Sequence, residues 1–343
     1  MTVLGVVVRQ ESWRDRFVTR VLQFRELAIA VATVLVFTLT WLNNSSFGSS
    51  ASIQQLLSGP SVVIILAVGE TLVIVTRNVD LSIGSILGLS AYLVGDLFVH
   101  YPTMPVVVAL VAGLLIGMVC GIVNGAIVAY ARVPALVVTL GMLYIIRGID
   151  AIVVNGIQIE PSQIPHSFVT LGAGVVLGVP YLLVIALVMV VLVGYVMQNY
   201  RPARDLYAIG SNPEAAVLAG VRVPRRIFGA FVISGSLAGL GGALWLAEFA
   251  TVASTAGTGY EFVVIAAVVV GGVAIFGGSG TVFGAALGAL LLNTIDQALV
   301  ASRVSSFWNQ AVAGFLLLVA IAFDRYISAR AERLLRIRGA ARG

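Results

Sequence analysis

The sequence predicts an all-α membrane protein of about ten transmembrane helices. Apolar residues make up 59% of the 343 residues and charged residues only 10%. The mean hydropathy is +1.05, and apolar runs long enough to cross a hydrocarbon layer of ~30 Å recur along the chain. A soluble core does not need this amount of apolar sequence, so soluble fold classes are excluded.

The apolar runs predict ten spans that form one membrane domain, residues 27–323. These spans are 27–42, 56–76, 81–99, 105–130, 134–154, 180–198, 227–249, 261–276, 279–300 and 306–323. The first and the eighth are short for a full crossing. Each of these two is therefore less tilted than usual, extended into its flanks, or re-entrant.

Arginine sets the predicted orientation, because the chain has no lysine and all 20 basic residues are arginine. With a cytoplasmic N-terminus, 18 of the 20 fall on the cytoplasmic side, and only Arg147 and Arg303 do not. This is a strong positive-inside bias. It predicts a cytoplasmic N-terminal segment, 1–26, a cytoplasmic tail, 324–343, and a large cytoplasmic loop, 199–226. The basic net charge then reflects topology and anionic lipid, not nucleic acid.

Two further features concern targeting and redox chemistry. The apolar patch near the N-terminus is followed by charges and has no small-residue cleavage site, so no cleaved signal peptide is expected. The single cysteine, Cys120, lies in an apolar run. One cysteine excludes a disulfide framework within the chain.

The middle of the loop 199–226 has the pattern of a short helix. Ser211 or Asn212 is placed to cap it, and Pro213 suits its first position. Glu214 favours the positive helix N-terminus, and Gly220 ends the helix. A helix of two turns is not stable alone in water, so it must lie against something.

The residues of this helix carry a first resemblance. Glu214, Ala215 and Ala216, followed by Gly220, resemble the EAA-type coupling loop of ABC importer permeases. In those proteins a short helix sits in a groove of a separate ATPase subunit. The resemblance therefore assigns these four residues to ATPase coupling.

Longer segments extend the resemblance over about residues 55 to 325. They are "GETLVIVTRNVDLSIGS", "PALVVTLGMLYIIRG", "GTGYEFVVIAAVVVGGVAIFGGSGTVFGAALGALL" and "FWNQAVAGFLLLVAIAFDR". In this order they are similar to the sugar-import branch of the ribose and branched-chain amino-acid permeases. Many ribose-type members carry two glycines where this chain has Arg77 and Asn78. The form found here, with "TIDQALVASRVSSFWNQ", is most similar to permeases of the autoinducer-2 and rhamnose systems.

The resemblance implies a type II importer fold in the bacterial cytoplasmic (inner) membrane, working as a homodimer or beside a paralogous permease. It implies an extracytoplasmic binding protein that delivers the sugar, and separate ATPase subunits that hold ATP and Mg²⁺. Autoinducer-2, rhamnose, a pentose and, alternatively, a branched-chain amino acid remain open as substrates. A Walker A site needs a lysine. The chain is therefore expected to hydrolyse no ATP, to hold no cofactor and to be no enzyme.

Polar residues within spans are candidates for the substrate pathway, because a charge at the membrane centre costs ~2.5–3.5 kcal/mol. Glu70, beside Thr71, either braces a helix interface or lines the pathway. Asn293, Asp296 and Gln297 share one helix face, which suits a hydroxyl-rich ligand or a polar subunit seam. The neighbouring residues Leu291 and Leu292 are expected on other faces.

Other polar and small residues have structural interpretations. The spacing of Arg147 and Asp150 favours an ion pair on one helix face, and Asn124 favours a hydrogen bond between helices. Two glycine series follow the small-xxx-small pattern of closely packed membrane helices: Gly113, Gly117, Gly121 and Gly125, and Gly280, Gly284 and Gly288. The stretch "RNVDLSIGS" is either a tight turn capped by Asp80 or Ser82, or a helix break that lines the pathway.

Four acidic residues are predicted near the outer loop ends, opposed there only by Arg303. They are Asp96, Glu160, Glu248 and Glu261. Together they predict an acidic surface for docking basic side chains of a binding protein. The histidines, His100 and His166, lack ligand partners at metal-binding spacing, so no metal site is expected.

Two other function classes stay open at this point. A proton-coupled secondary transporter would use the carboxylates of Glu70, Asp96 or Asp296. An integral-membrane enzyme would need a metal cluster or a nucleophile beside a base, and the spans contain neither pattern.

Overall fold

The computed structural model describes residues 25–304 and isolated positions between 308 and 325. This part of the chain contains thirteen α-helices. They are α1 (Arg25–Asn43), α2 (Ser50–Ser58), α3 (Ser61–Ile74), α4 (Ile83–His100), α5 (Val106–Ala129), α6 (Ala135–Val154), α7 (His166–Ala173), α8 (Tyr181–Asn199), α9 (Arg201–Ser211), α10 (Pro213–Leu218), α11 (Val223–Phe249), α12 (Tyr260–Val270) and α13 (Val282–Ala301). A small antiparallel hairpin, β1 (Val175–Val176) and β2 (Val179–Pro180), lies between α7 and α8.

The prediction of an all-α membrane protein is confirmed. In the described residues, eight helical stretches are long and apolar enough to cross a membrane: α1, α2 joined to α3, α4, α5, α6, α8, α11 and α13. The predicted tenth span, 306–323, the N-terminal segment and the tail lie wholly or largely outside the described residues. The predicted count of ten is therefore approximate.

The eighth predicted span, 261–276, is shorter than its apolar sequence indicated. The helix α12 has only 11 residues, a length of about 16 Å, which is half of what a crossing needs. Residues 271–281 form turns in which Gly272, Gly277, Gly278 and Gly280 have positive φ. We call 271–281 the second break, because an apolar segment stops being helical there.

Irregular backbone also follows α3, the 14-residue second part of the stretch Ser50–Ile74. Residues 75–82 are turns and extended backbone, and Arg77 has a φ of 66°. We call this segment the first break. Irregular backbone in a membrane protein persists only where other protein groups or water satisfy its polar atoms, so both breaks must lie against neighbouring elements.

Helix α11 lies at the centre of the bundle, packed against α3, α4 and α5. Glycines allow the contact with α5: a Cβ on Gly117 would lie 2.0 Å from the carbonyl oxygen of Gly235. One on Gly239 would lie 2.1 Å from that of Gly113. These distances confirm that the first glycine series mediates close packing.

The second glycine series joins α13 to α12. A Cβ on Gly284 would lie 2.2 Å from the Gly271 carbonyl oxygen, and one on Gly288 would lie 2.1 Å from that of Ala267. Gly280 differs from these two, since it lies in the second break with a φ of 129°. The two helical members are therefore packing residues, as predicted.

We expect Gly117→Val to prevent the close contact between α5 and α11. The obstacle is backbone, which cannot move aside as a side chain does, so the cost exceeds the ~1–3 kcal/mol of ordinary overpacking. Gly141→Val on α6 is the matched control, because nothing lies within 4 Å of a Cβ there. Yield of monodisperse protein in detergent measures the difference. Equal yields from both variants would contradict this packing account.

Helix α1 is attached to α13 near both of its ends. The Thr281 hydroxyl donates a hydrogen bond to Glu26 Oε1 at 2.5 Å. Beyond the other end, Asn44 Nδ2 donates to the Ala301 carbonyl oxygen at 3.0 Å. Only 6% of the apolar window of α1 is buried, so most of its surface faces outward.

Candidate functional site

The short helix predicted in the loop 199–226 is present as α10. Asn212 is its N-cap, and its Oδ1 accepts a hydrogen bond from the Ala215 backbone N–H at 3.0 Å. Ser211, the alternative cap, is the last residue of α9. Gly220 follows the helix with a φ of 80°, and nothing lies within 4 Å of a Cβ built there. The turn therefore needs a left-handed residue but is not crowded.

One side of α10 is apolar and unprotected. Val217 is 59% exposed and Leu218 is 89% exposed, whereas Ala216 is buried against the chain. Glu214 is exposed in the first turn. We call the exposed side chains of Glu214, Val217 and Leu218 the coupling surface. Within the described residues nothing covers this surface, although apolar side chains of this size are usually buried.

Asn293 and Asp296 line the same cavity, with a volume of about 230 Å³. Other walls come from the turn between α2 and α3 and from α3, α12 and α13, and include Gly59, Val63, Tyr260, Val263, Leu292 and Leu299. Asn293 Nδ2 donates to the Leu56 carbonyl oxygen at 3.3 Å. Asp296 Oδ1 is buried and has no hydrogen-bond partner among the described residues. A buried acceptor of this kind fits a ligand or a water that donates a hydrogen bond.

The other two expectations for α13 turn out differently. Gln297 lies in a separate cavity of about 200 Å³, beside Gln55 and Ser52. Leu292 lines the cavity with Asn293 and Asp296, so the expectation that it lies on another face is wrong. The face of α13 that borders this cavity thus includes Leu292 and Leu299 but not Gln297, while Leu291 is buried outside it.

Glu70 and Thr71 lie away from these cavities, fully buried in α3. Glu70 Oε1 accepts a hydrogen bond from the Asp80 backbone N–H at 3.0 Å. Asp80 Oδ1 in turn accepts from the Ser82 hydroxyl at 2.6 Å, and Asn124 Nδ2 donates to Ser82 Oγ at 2.7 Å. Glu70 thus holds the first break against the end of its own helix. Asn124 was predicted to bond another helix, but it donates to Ser82 of the first break, the residue that precedes α4.

The predicted acidic surface loses one member. Glu160 is exposed, Glu248 is half-buried, and Asp96 lies 3.5 Å from the ring of His100. Glu261 is only 6% exposed, with Oε2 buried. It does not contribute to that surface, because residues 256–257 and the first turn of α12 pack onto Gly84 and Gly88 of α4.

The predicted ion pair between Arg147 and Asp150 is not formed. Arg147 Nη1 donates to the Ala256 carbonyl oxygen instead. Both Asp150 carboxylate oxygens are buried without a partner in the described part of the chain. Arg147 therefore fastens the segment before α12 to α6.

Comparison with known proteins decides the family. The sequence pattern of the family described as "Branched-chain amino acid transport system / permease component" matches residues 52–321. The chain belongs to this permease family. The matched residues include both breaks, α10 and Asn293 with the cavity around it.

Several curated relatives of this permease share one name, autoinducer 2 import system permease protein LsrC. Those of Shigella flexneri, Escherichia coli (strain K12 / DH10B) and Salmonella paratyphi B are each 36% identical over 312 residues. The alignment covers 91% of this chain and 89–90% of the relatives. No solved structure is significantly similar to the chain.

The permease is a multi-pass membrane transport subunit rather than an enzyme. The two other function classes, a secondary transporter and a membrane enzyme, are not favoured by these relatives. Among the residues that the structure describes, no group of three or more His, Cys, Asp or Glu side chains could hold a metal ion.

Some site residues of the permease carried no usable signal in the sequence. Tyr260 of α12 and Gly59, between α2 and α3, line the cavity, and only the three-dimensional arrangement brings them to Asn293. The stretch "RNVDLSIGS" predicts a capped turn or a helix break but does not predict that the Asp80 backbone N–H binds Glu70. A spacing of ten residues places the two on different faces of a helix, so helical periodicity does not group them.

Proposed function

We propose that this chain is the membrane subunit of an ATP-driven importer for autoinducer 2 or a closely related sugar-like molecule. The observation that carries the proposal is the similarity, over 91% of the chain, to permeases named for autoinducer 2 import. Rhamnose and pentoses are the next substrates to test. Branched-chain amino acids follow, because the family description names them.

The coupling surface supports an ATPase partner. A capped helix with two exposed apolar residues and an exposed carboxylate is suited to a groove on another subunit, because its apolar side chains are more stable there than in water. The absence of lysine means that the chain has no Walker A site of its own. Glu214, Ala215, Ala216 and Gly220 are the residues proposed to serve this contact.

The proposed orientation places both termini and α10 in the cytoplasm of a bacterial inner membrane, on the strength of the arginine distribution. A second copy of the chain or a paralogous permease would complete the translocation domain. The domain then comprises 27–323, with the coupling loop 199–226 on its cytoplasmic side.

The proposed pathway runs through the cavity of Asn293 and Asp296, with Gln297 on the adjoining cavity. A carboxylate acceptor and a side-chain amide suit a small ligand that presents several hydroxyl groups. Glu70 would act further inside, where it holds α3 against the first break, and Thr71 beside it donates to the Ala67 carbonyl oxygen of the same helix. Their contribution to the pathway is the shape of that helix end rather than direct contact.

The surface proposed to dock an extracytoplasmic binding protein consists of Asp96, Glu160 and Glu248. Attraction between this acidic surface and basic side chains is screened by salt. We therefore expect Glu160→Lys to weaken docking of the loaded binding protein and to make docking less dependent on salt concentration. Titration at two ionic strengths measures both effects, and unchanged docking would remove Glu160 from the surface.

Uptake into proteoliposomes tests the proposed function. The complete complex, with its ATPase subunits and binding protein, should accumulate labelled autoinducer 2 only with internal ATP. Unlabelled autoinducer 2 should compete better than rhamnose, ribose or leucine. Uptake that needs no ATP and collapses with a proton ionophore would overturn the proposal, and stronger competition by leucine would change the substrate class.

A further inference from the structure

The end of α9, immediately before α10, contacts both breaks at one point. A Cβ on Gly210 would lie 1.8 Å from the Val75 carbonyl oxygen and 2.4 Å from the Gly278 backbone nitrogen. Val75 begins the first break, and Gly278 belongs to the second. Because no side chain fits there, only glycine lets these three segments meet, and we call this meeting point the junction.

Arg77 fastens the first break to the junction with two hydrogen bonds. Its Nε donates to the Gly210 carbonyl oxygen, and its Nη2 donates to the Ser211 carbonyl oxygen at 2.7 Å. These are the last carbonyls of α9, which have no partner within their own helix. Positive charge is favoured at this end of a helix dipole, so a guanidinium fits both the geometry and the electrostatics.

The second break joins the same junction independently. The Gly278 backbone N–H donates to the Val75 carbonyl oxygen at 2.9 Å. The Tyr207 hydroxyl of α9 donates to the Gly280 carbonyl oxygen, also at 2.9 Å. Burial raises the pKa of Tyr207 above its usual value, so its hydroxyl stays protonated and remains a donor.

The two short helices connect this junction to the cavity. Helix α3 contributes Val63 to the cavity wall and ends at the first break. Helix α12 contributes Tyr260 and Val263 to the same wall and ends at the second break. The helices α3 and α12, of 14 and 11 residues, thus run from the junction to the cavity wall.

We infer that Arg77 is a positioning residue that ties the coupling segment to the two interrupted helices, so that movement of α10 is carried to the cavity. This inference rests on the proposed function, since it needs an ATPase that moves α10. It assigns to Arg77 a role that goes beyond capping α9: without its guanidinium, α10 moves and the first break does not follow, while Tyr207 still holds the second break to α9.

A reporter in the first break, which Arg77 holds to α9, tests the inference without relying on transport. Leu81 is partly exposed, and Leu81→Cys in a Cys120→Ala background gives a single cysteine. Its reaction rate with a water-soluble maleimide is measured in the complex with the ATPase, with and without a trapped ATP analogue. We expect the analogue to change the rate, and Arg77→Gly to reduce that change about tenfold, because two charge-assisted bonds are lost.

The variants are chosen to distinguish loss of the Arg77 hydrogen bonds from a general loss of folding. Arg77→Gly suits the left-handed backbone, so it removes the side chain without adding strain. Arg77→Lys keeps one charged donor and should restore part of the response. Arg132→Ala is the matched control, because Arg132 is another exposed arginine with a positive φ, 57°, and no described hydrogen bond ties its side chain to α9. Its response should equal that of the parent protein.

Three outcomes overturn the inference: no nucleotide response in the parent protein, an unchanged response in Arg77→Gly, or an equal loss in Arg132→Ala. ATP-driven uptake is measured in parallel on the same complexes. If uptake stays ATP-driven while the reporter gives one of these three outcomes, the proposed function stands and only the role of Arg77 is wrong. If the parent complex shows no ATP-driven uptake, the proposed function itself fails.

Discussion

Glu214→Lys and Gly220→Asp should each abolish ATP-driven uptake while the protein still inserts into the membrane. Both changes place a new charge on or beside the coupling surface, where Val217 and Leu218 are exposed. Loss of a binding hot spot of about 3 kcal/mol weakens an interface about a hundredfold. Co-purification of the ATPase and ATPase activity stimulated by the loaded binding protein measure the loss directly.

Two control variants isolate the coupling surface from local strain. Gly178→Asp places the same side chain at a φ of 81° with nothing within 4 Å, but in the β1–β2 hairpin. It should leave ATPase binding intact. Glu214→Gln removes the charge without reversing it and should lose less than Glu214→Lys. Normal uptake by both Glu214→Lys and Gly220→Asp would remove α10 from coupling.

The second large effect is expected at Asp296. Asp296→Leu removes a buried acceptor that no described residue satisfies, so a ligand hydroxyl would lose its partner. Hydrogen bonds to charged groups contribute about 1.5–3 kcal/mol, which corresponds to about a tenfold to hundredfold loss of uptake. Thr294→Val on the same helix is the control, because its hydroxyl donates to the Leu290 carbonyl oxygen of its own helix at 2.7 Å.

Cysteine accessibility distinguishes a pathway from a sealed polar site. In a Cys120→Ala background, cysteines at 293 and 296 should react with a small water-soluble thiol reagent. Substrate with its binding protein, or a trapped nucleotide state, should change their rates. Cysteine at Leu291 is the slow control, since Leu291 is buried outside the cavity. If the cysteines at 291, 293 and 296 all react equally slowly in every state, α13 does not line the pathway.

The sequence was sufficient to predict what hydropathy and capping determine. Apolar runs located the spans, because transfer into hydrocarbon depends on composition. Asn212, Pro213 and Gly220 located α10, because helix ends have local requirements. The length of α12 could not be predicted in this way. Residues 273–276 are apolar, and composition does not reveal that the turns around them bind to other segments.

The candidate site was predicted only in part, because its other half depends on contacts between distant residues. Helical spacing grouped Asn293 with Asp296 correctly. It did not indicate that Tyr260 and Leu292 line the same cavity. Glu261 lies near a loop end in sequence, yet it is buried by contact with α4. The role of Arg77 depends on carbonyls more than 130 residues away.

The attachment of α1 to α13 has a consequence for the surrounding bilayer. Hydrogen bonds near both ends of α1 hold it to α13. A tilt of α13 that widens the cavity therefore also moves α1 relative to the surrounding acyl chains. Work done on the bilayer then becomes part of the free energy of each cycle. Acyl-chain length, through its mismatch with the apolar length of α1, should set the speed of this movement without altering a single contact to substrate or ATPase.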